Sequence, residues 1–441
     1  MRTDRARRSV GFVLHHERSH LGHRTARPVA PQRRGAAAPR SATKRHEAPR
    51  VAPGAGVRRR RRTIRAMTIG ESITLAELEL DPYPALARLR ADEPVAHVPD
   101  LDMWLVTRWD DVVLVHDRPD LFTSATEPSW LNTVLGTNML GSDGAEHRRL
   151  KDALQPSFTP TATGRWVAER LPVICDELID AFDPAGVDLM TAYAEPIAVR
   201  ALQDALGWDN ASWQEIGEWT RGVCTGLANF ANDPELATIA AAANEQSGAS
   251  IRERVAPNLA HTGLSADEIV NNVRLCMSGG INEPRDGIAL AVWALLSHPA
   301  AVAACRADES LWRNACEELF RWISPVATST RQTTTEVEVA GTTIPAGALV
   351  AAVISSANRD ERRWTDPDRY DLHRREGTHL AFSTGAHVCL GAWLGRSTVR
   401  VAVQRLFDRL PDLDLAGSPE AVEIRGFEFR GPVRLDVRPT G

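Results

Sequence analysis

Residues 382–391 read FSTGAHVCLG, placing Cys389 between Gly385 and Gly391 with His387 two positions upstream. If Cys389 binds a metal, zinc is a poor fit: it needs three more ligands, and only His387 is near in sequence. A haem asks for one protein thiolate, because the porphyrin supplies the equatorial donors. An axial thiolate pushes electron density onto the iron and favours O–O cleavage. The glycines allow the backbone close to a porphyrin and to sulfur, and backbone N–H groups there can hydrogen-bond the thiolate. The stretch that follows, LGAWLGRSTVRVAVQRLFDRL, is an amphipathic helix whose N-terminal dipole favours an anionic sulfur. The same spacing also admits a buried free thiol in a glycine-rich turn.

The elements that must position this loop are mostly helical. DPYPALARLRADEP shows apolar spacing of three and four after Asp81 and a proline. MWLVTRWDDVVLVHDRP predicts a short strand and then a helix. HRRLKDALQPSF reads as a basic helix ending near Pro156, and RWVAERLPVICDELIDAF and EPIAVRALQDALG as amphipathic helices. The longest helical pattern runs from Ser265 to about Ser297, opening with a Ser265–Glu268 capping box. GGINEP, Gly279 to Pro284, predicts an interruption, with a second helix ending at His298–Pro299. From 331 the text alternates, with turns at Ala340–Gly341 and Pro345–Gly347, and FEFRGPVRLDV reads as a strand pair. The fold class is therefore mainly α with a minor β region toward the C-terminus. GxGxxG and GxxxxGK are missing, so nothing points to a nicotinamide, flavin or nucleotide site.

The 441 residues are 43% apolar and 25% charged, ordinary for a globular enzyme. Charge is uneven: residues 1–66 carry 19 Lys and Arg against 3 Asp and Glu, leaving 33 against 54 in the rest. This basic segment ends in Arg58 to Arg62 and lacks periodicity, so it is expected to be disordered. Basic arms bind nucleic acid or anionic surfaces, and some are targeting peptides. The favoured expectation is an inert extension, with the working chain, 67–441, starting at Met67. No nucleic-acid partner is expected. No apolar run approaches the ~20 residues of a membrane span. Cys175, Cys224, Cys276, Cys305 and Cys316 lack CxxC spacing and read as free thiols of a reducing cytoplasm.

FSTGAHVCLGAWLGR resembles the haem-binding signature F-x-x-G-x-H-x-C-x-G of the cytochrome P450 haem-thiolate monooxygenases, with Phe382, Gly385, His387, Cys389 and Gly391 in the fixed places. Further resemblances follow in order. EELFR matches E-x-x-R at Glu318 and Arg321. ANRDERRWTDPDRYDLHR matches the family's meander, with Trp364 in place of phenylalanine. GAEHRRLKDALQPSFTP is similar to its C helix. The resemblance covers 72–437. It implies a P450 fold, with haem b between a distal helix and the Cys389 loop, and an iron ligated by Cys389. Glu318, Arg321 and Arg374 would form a buried network, whereas i,i+3 spacing alone is worth little; Glu317 could compete at i,i+4. His147, Arg331 and His387 occupy propionate-binding positions. Lys151 stands where the family has arginine and loses its bidentate fork; Arg148 is a substitute.

The distal motif (A/G)-G-x-(D/E)-T departs from the family. It reads Gly279, Gly280, Ile281, Asn282, Glu283, Pro284. The family's acid–alcohol pair relays protons for O–O cleavage. Asn282 cannot titrate. Glu283 can, and an apolar pocket should raise its pKa. Pro284 leaves the carbonyl of Gly280 without its helical donor. The resemblance thus implies a monooxygenase inserting one oxygen atom of dioxygen into an apolar small molecule, with Glu283 delivering protons. A separate ferredoxin and its reductase would supply electrons to a cytoplasmic monomer, docking at Arg148, Arg149 and Arg396. The alternatives are a peroxide-driven peroxygenase and a catalytically silent haem sensor or scaffold. Substrate contacts are expected from Trp130 to Leu140, and from Ile281, Val326 and Ala327.

Overall fold

The computed structural model describes residues 67–229 and 233–439; the basic segment 1–66 and its expected disorder lie outside the described residues. The helices that build the site are α1 (Tyr83–Asp92), α2 (Trp109–Asp117), α3 (Trp130–Leu135), α4 (Gly144–Leu154), α5 (Glu195–Leu206), α6 (Trp213–Leu227), α7 (Pro234–Ser250), α8 (Ala266–Ser297), α9 (Leu311–Trp322) and α10 (Ala392–Arg409). The strands are β1 (Val95–Val98), β2 (Met103–Val106), β3 (Phe122–Thr123), β4 (Val187–Asp188), β5 (Ser329–Thr333), β6 (Val337–Val339), β7 (Thr342–Ile344), β8 (Leu349–Ala352), β9 (Leu413–Leu415), β10 (Ile424–Arg425), β11 (Gly431–Pro432) and β12 (Asp436–Pro439).

The central helix, α8, runs unbroken for 32 residues through Pro284, so the predicted interruption is absent. Its start is as expected: the Ser265 hydroxyl accepts from Glu268 N–H, and the Glu268 carboxylate accepts from Ser265 N–H. A proline inside a helix costs about 3 kcal/mol. A fully buried large apolar side chain returns about 1.5–3 kcal/mol. Val270, Val273, Met277, Ile281, Ile288, Leu290 and Leu295 are all buried on α8. That packing, against α5, α6, α9 and α10, outweighs one lost hydrogen-bond rung.

The main sheet has the order β1-β2-β8-β5-β3, with β2 and β8 parallel and the other neighbours antiparallel. Three of its strands come from residues 95–123, so the sheet is less C-terminal than the sequence texture predicts. β6 and β7 form the expected hairpin; Ala340 and Gly341 both have positive φ, +47° and +78°, as a primed two-residue turn requires. The stretch FEFRGPVRLDV is not a self-paired hairpin: β11 pairs with β10, and β12 joins β4 and β9. Among the described residues no single helix is long and apolar enough to cross a membrane.

Candidate active site

Cys389 sits one turn before α10. Its N–H donates to the Phe382 carbonyl at 2.9 Å, and its own carbonyl accepts from Ala392 N–H at 3.3 Å. Cys389 is exposed, and the surrounding protein desolvates its sulfur. That desolvation pushes the thiol up. The Gly391 N–H, Arg396 and Lys151 pull it down. Gly391 thus contributes its N–H, and a Cβ there would meet open space. Gly385 has a different reason from the one expected. Its φ is +66°, and a Cβ would lie 2.9 Å from the Asp117 carboxylate at the end of α2. Phe382 packs edge-to-face on Phe320 at 5.2 Å, with the Arg396 guanidinium 3.8 Å from its ring centroid.

Basic side chains ring this loop, but several grip the loop itself. Lys151 Nζ donates to the carbonyls of Ala386 and Val388 at 2.7 and 2.9 Å. His147 places its ring nitrogens on the carbonyls of Met139 (2.7 Å) and Ala386 (3.1 Å), and is buried. As oriented here, both His147 ring nitrogens and two of the three Lys151 N–H donors are turned to backbone carbonyls. His387 Nε2 lies 3.1 Å from Asp143 Oδ1 and 3.2 Å from Ser124 Oγ. Arg331 is 4% exposed; its Nη1 donates to the Thr330 carbonyl, and it has no ion pair among the described residues. Burial lowers it to about 10. Beside it is His116, which sequence reasoning missed. Its Nε2 is 2.6 Å from Ser329 Oγ, and its buried Nδ1 has no partner. Burial, with the nearby Arg331 and His387 charges, lowers it to about 3.

On α8, Cys276, Gly279 and Glu283 share one face by their i, i+3, i+7 spacing, and Cys276 and Glu283 are electrostatic neighbours of Cys389. The Glu283 charge pushes the Cys389 thiol up, and the Cys389 charge pushes the Cys276 thiol up. Glu283 Oε2 is buried without a partner. Burial raises this carboxyl to about 8, as expected for an acid in an apolar pocket. Asn282 points elsewhere: its amide donates to Cys224 Sγ on α6 at 2.8 Å. Gly280 faces α5, where a Cβ would lie 3.4 Å from Leu202. Ile281 is 0% exposed in the core, so it is not a pocket wall; its helix face is turned inward. Ala327 is likewise fully buried, while Val326 is half-buried and bridges Phe429. Next to that bridge, Ala327 N–H donates to the Glu428 carbonyl at 2.8 Å.

Behind the loop, Glu318 joins Arg321 and Arg374 as expected. Its Oε1 accepts from Arg321 Nη2 at 2.8 Å and Arg374 Nε at 3.0 Å. Glu317 does not compete; it pairs with His379 and Arg396. This undoes part of the expected basic patch. Arg396 is neutralised by Glu317, distant in sequence, and Arg149 by its i,i+3 neighbour Glu146 and by the distant Glu268. Arg148 remains exposed.

The segment Trp130 to Leu140 is tied to α8 by asparagines. Asn272 Oδ1 accepts from Met139 N–H at 2.8 Å, and Asn271 Nδ2 donates to the Thr137 carbonyl at 3.3 Å. Buried Asn138 closes the turn, its Oδ1 accepting from the N–H groups of Leu140 and Gly141.

A thiol loop just before one helix, with a long central helix as its electrostatic neighbour, defines the class of a helical thiolate enzyme. The comparisons give the family. The Cytochrome P450 family profile matches residues 256–411. The chain is 35% identical over 386 residues to the cytochrome P450 monooxygenase PikC of Streptomyces venezuelae, covering 81% of this chain and 91% of that one. It is 30% identical over 410 residues to the 6-deoxyerythronolide B hydroxylase of Saccharopolyspora erythraea, covering 84% and 100%. The crystal structure of CalO2 superposes with a TM-score of 0.76 at 28% identity, covering 83% and 98%. The chain belongs to the cytochrome P450 family, of bacterial type, and is a monooxygenase.

The family implies a haem, and the residues present fit one. Cys389 is exposed and its sulfur receives the Gly391 N–H. Arg331 and the orphaned His116 Nδ1 form a buried cationic and donor-rich corner without a carboxylate pair for Arg331, suited to an anionic group such as a propionate.

Proposed function

We propose that this chain binds haem b through the Cys389 thiolate and inserts one oxygen atom of dioxygen into an apolar organic small molecule. The observation that carries this reading is Cys389 at the start of α10, with Cys276 and Glu283 of α8 as its electrostatic neighbours. When bound, the haem supplies the oxygen-activating chemistry. The dipole of α10 and the Gly391 N–H favour the anionic sulfur. Arg331, His116 and His387 hold the propionates, and Lys151 and His147 fix the loop that carries the cysteine. The Glu318–Arg321–Arg374 network holds the meander behind it. Glu283 holds a proton at neutral pH and delivers it on the distal face, taking the place of the family's acid–alcohol pair. A ferredoxin and its reductase supply the electrons to a cytoplasmic monomer. Residues 67–441 form the working haem domain. Similarity to a hydroxylase of 6-deoxyerythronolide B supports an organic small-molecule substrate.

The test is the carbon monoxide difference spectrum of reduced 67–441, with Cys389→Ser beside it. A red-shifted Soret band lost in the variant is the expected result. A band typical of a neutral axial ligand, unchanged in the variant, would sink the reading.

A second reading, a peroxide-driven peroxygenase, is favoured by the unpartnered Oε2 of Glu283, an acid–base atom placed to handle peroxide protons. Product formed with peroxide but not with reductant would select it.

A further inference from the structure

Four charged side chains form a seam through the three helices behind Glu283. Arg221 on α6 donates through Nη1 to Glu195 Oε1 on α5 at 2.5 Å; Arg221 is 41% exposed and Glu195 only 8%. On α8, Arg285 Nε donates to Asp286 Oδ1 at 2.9 Å, and Asp286 is nearly buried. The two pairs are electrostatic neighbours. Glu195 acts on both Arg285 and Asp286, and these two act in turn on Glu283.

A glycine makes room for Asp286, whereas Gly217 only touches the other pair. A Cβ at Gly217 would lie 3.4 Å from the Glu195 carboxyl and from Arg221 Nη1. A Cβ at Gly431 would lie 2.5 Å from Asp286 Cγ. Buried ion pairs are commonly no more stabilising than apolar groups of the same size. Stability therefore does not account for the Arg285–Asp286 pair, set beside the half-exposed Arg221–Glu195 pair.

We propose that Glu195 and Asp286 are the proton inlet to Glu283, opening to solvent beside Arg221. This rests on the reading that Glu283 delivers protons. One proton passes at a time, and no electron moves. Solvent protonates the Glu195 carboxylate; the proton passes to Asp286 and then to Glu283, with water as carrier across the gaps, and each carboxyl returns to its earlier form. Arg221 and Arg285 keep their protons. They are positioning residues that hold the carboxylates in line.

The experiment is deuterium exchange of the Glu283 carboxyl in the haem-loaded full chain, followed by rapid-mixing infrared spectroscopy. Glu283→Gln identifies the band. Glu195→Gln removes the first link and leaves Arg221 half exposed to water. Exchange should slow by roughly tenfold to a hundredfold, at or below the low end of what a positioned proton-transfer group contributes, with an unchanged Soret band. Glu195→Asp, which keeps the charge but draws the carboxylate back by one methylene, should slow it in the same direction and serves where the first variant misfolds. Structural loosening works the other way, because opening speeds exchange. Exchange as fast as in the unmodified protein, or faster, overturns the inlet and leaves the Glu283 reading standing. A difference spectrum without a Glu283 carboxyl band near neutral pH overturns both.

Discussion

Arg321 meets Glu318 through two parallel hydrogen bonds, Nε to Oε2 and Nη2 to Oε1, both 2.8 Å long. The same guanidinium also donates to the carbonyls of Asn358, Pro367 and Arg369. Both side chains are almost wholly buried. Glu318→Gln leaves the guanidiniums of Arg321 and Arg374 without a counter-charge, at a cost of about 3–5 kcal/mol. Arg321→Lys keeps the charge but loses the fork. Both variants should lose several degrees of thermal midpoint and most of their bound haem. Full haem occupancy at the original midpoint would contradict the role assigned to this network.

Lys151 presents one ammonium to two carbonyls of the cysteine loop. Hydrogen bonds from a charged donor contribute about 1.5–3 kcal/mol. Lys151→Met should lower unfolding stability by about that amount in urea titrations, and the carbon monoxide complex should drift toward the neutral-ligand form. Lys151→Ala should behave alike, since the lost group is the charge.

Glu283→Gln tests proton delivery. The red-shifted carbon monoxide band should persist, because Glu283 does not touch the sulfur. Product formed per electron consumed should fall on the order of 10²-fold, the low end for a positioned acid. Unchanged coupling would return proton delivery to water alone.

Glu428 gives a pH signature. Burial and the charge of Glu79 raise its carboxyl from 4.5 to about 7. The folded chain therefore keeps its proton at pH values where the unfolded chain has released it. Stability from this group falls as pH rises from 4.5 to about 7 and stays lower above that. Glu428→Gln removes the effect. Its thermal midpoint, relative to the unmodified chain, should climb across that window and level off above it. A constant difference would show that the carboxyl is not perturbed.

What was legible in the sequence was local. The Cys389 loop, the Ser265–Glu268 cap and the Glu318–Arg321 spacing each declare themselves within a few residues. The orientation of Glu283 was also within reach, since Cys276, Gly279 and Glu283 share one helical face. What stayed hidden depends on distant partners. His116 is one histidine in ordinary helix text, and only the fold sets it beside Arg331. Arg396 looked free because Glu317 meets it only in three dimensions, and of the two partners of Arg149 only Glu146, one helix turn away, was legible, while Glu268 comes from the fold. Pro284 was read as a break because its cost is local, while the packing that offsets it is spread along all of α8.

The tie between Trp130–Leu140 and α8 is made of asparagine amides against backbone groups. Releasing such a tie exchanges amide–carbonyl bonds for amide–water bonds, at a net cost of about 0.5–1.5 kcal/mol each. An apolar seam would instead expose surface whose penalty weakens on cooling. This flank of the pocket is therefore latched by contacts that water can replace one at a time. Its opening should respond to water activity and denaturant more than to cold.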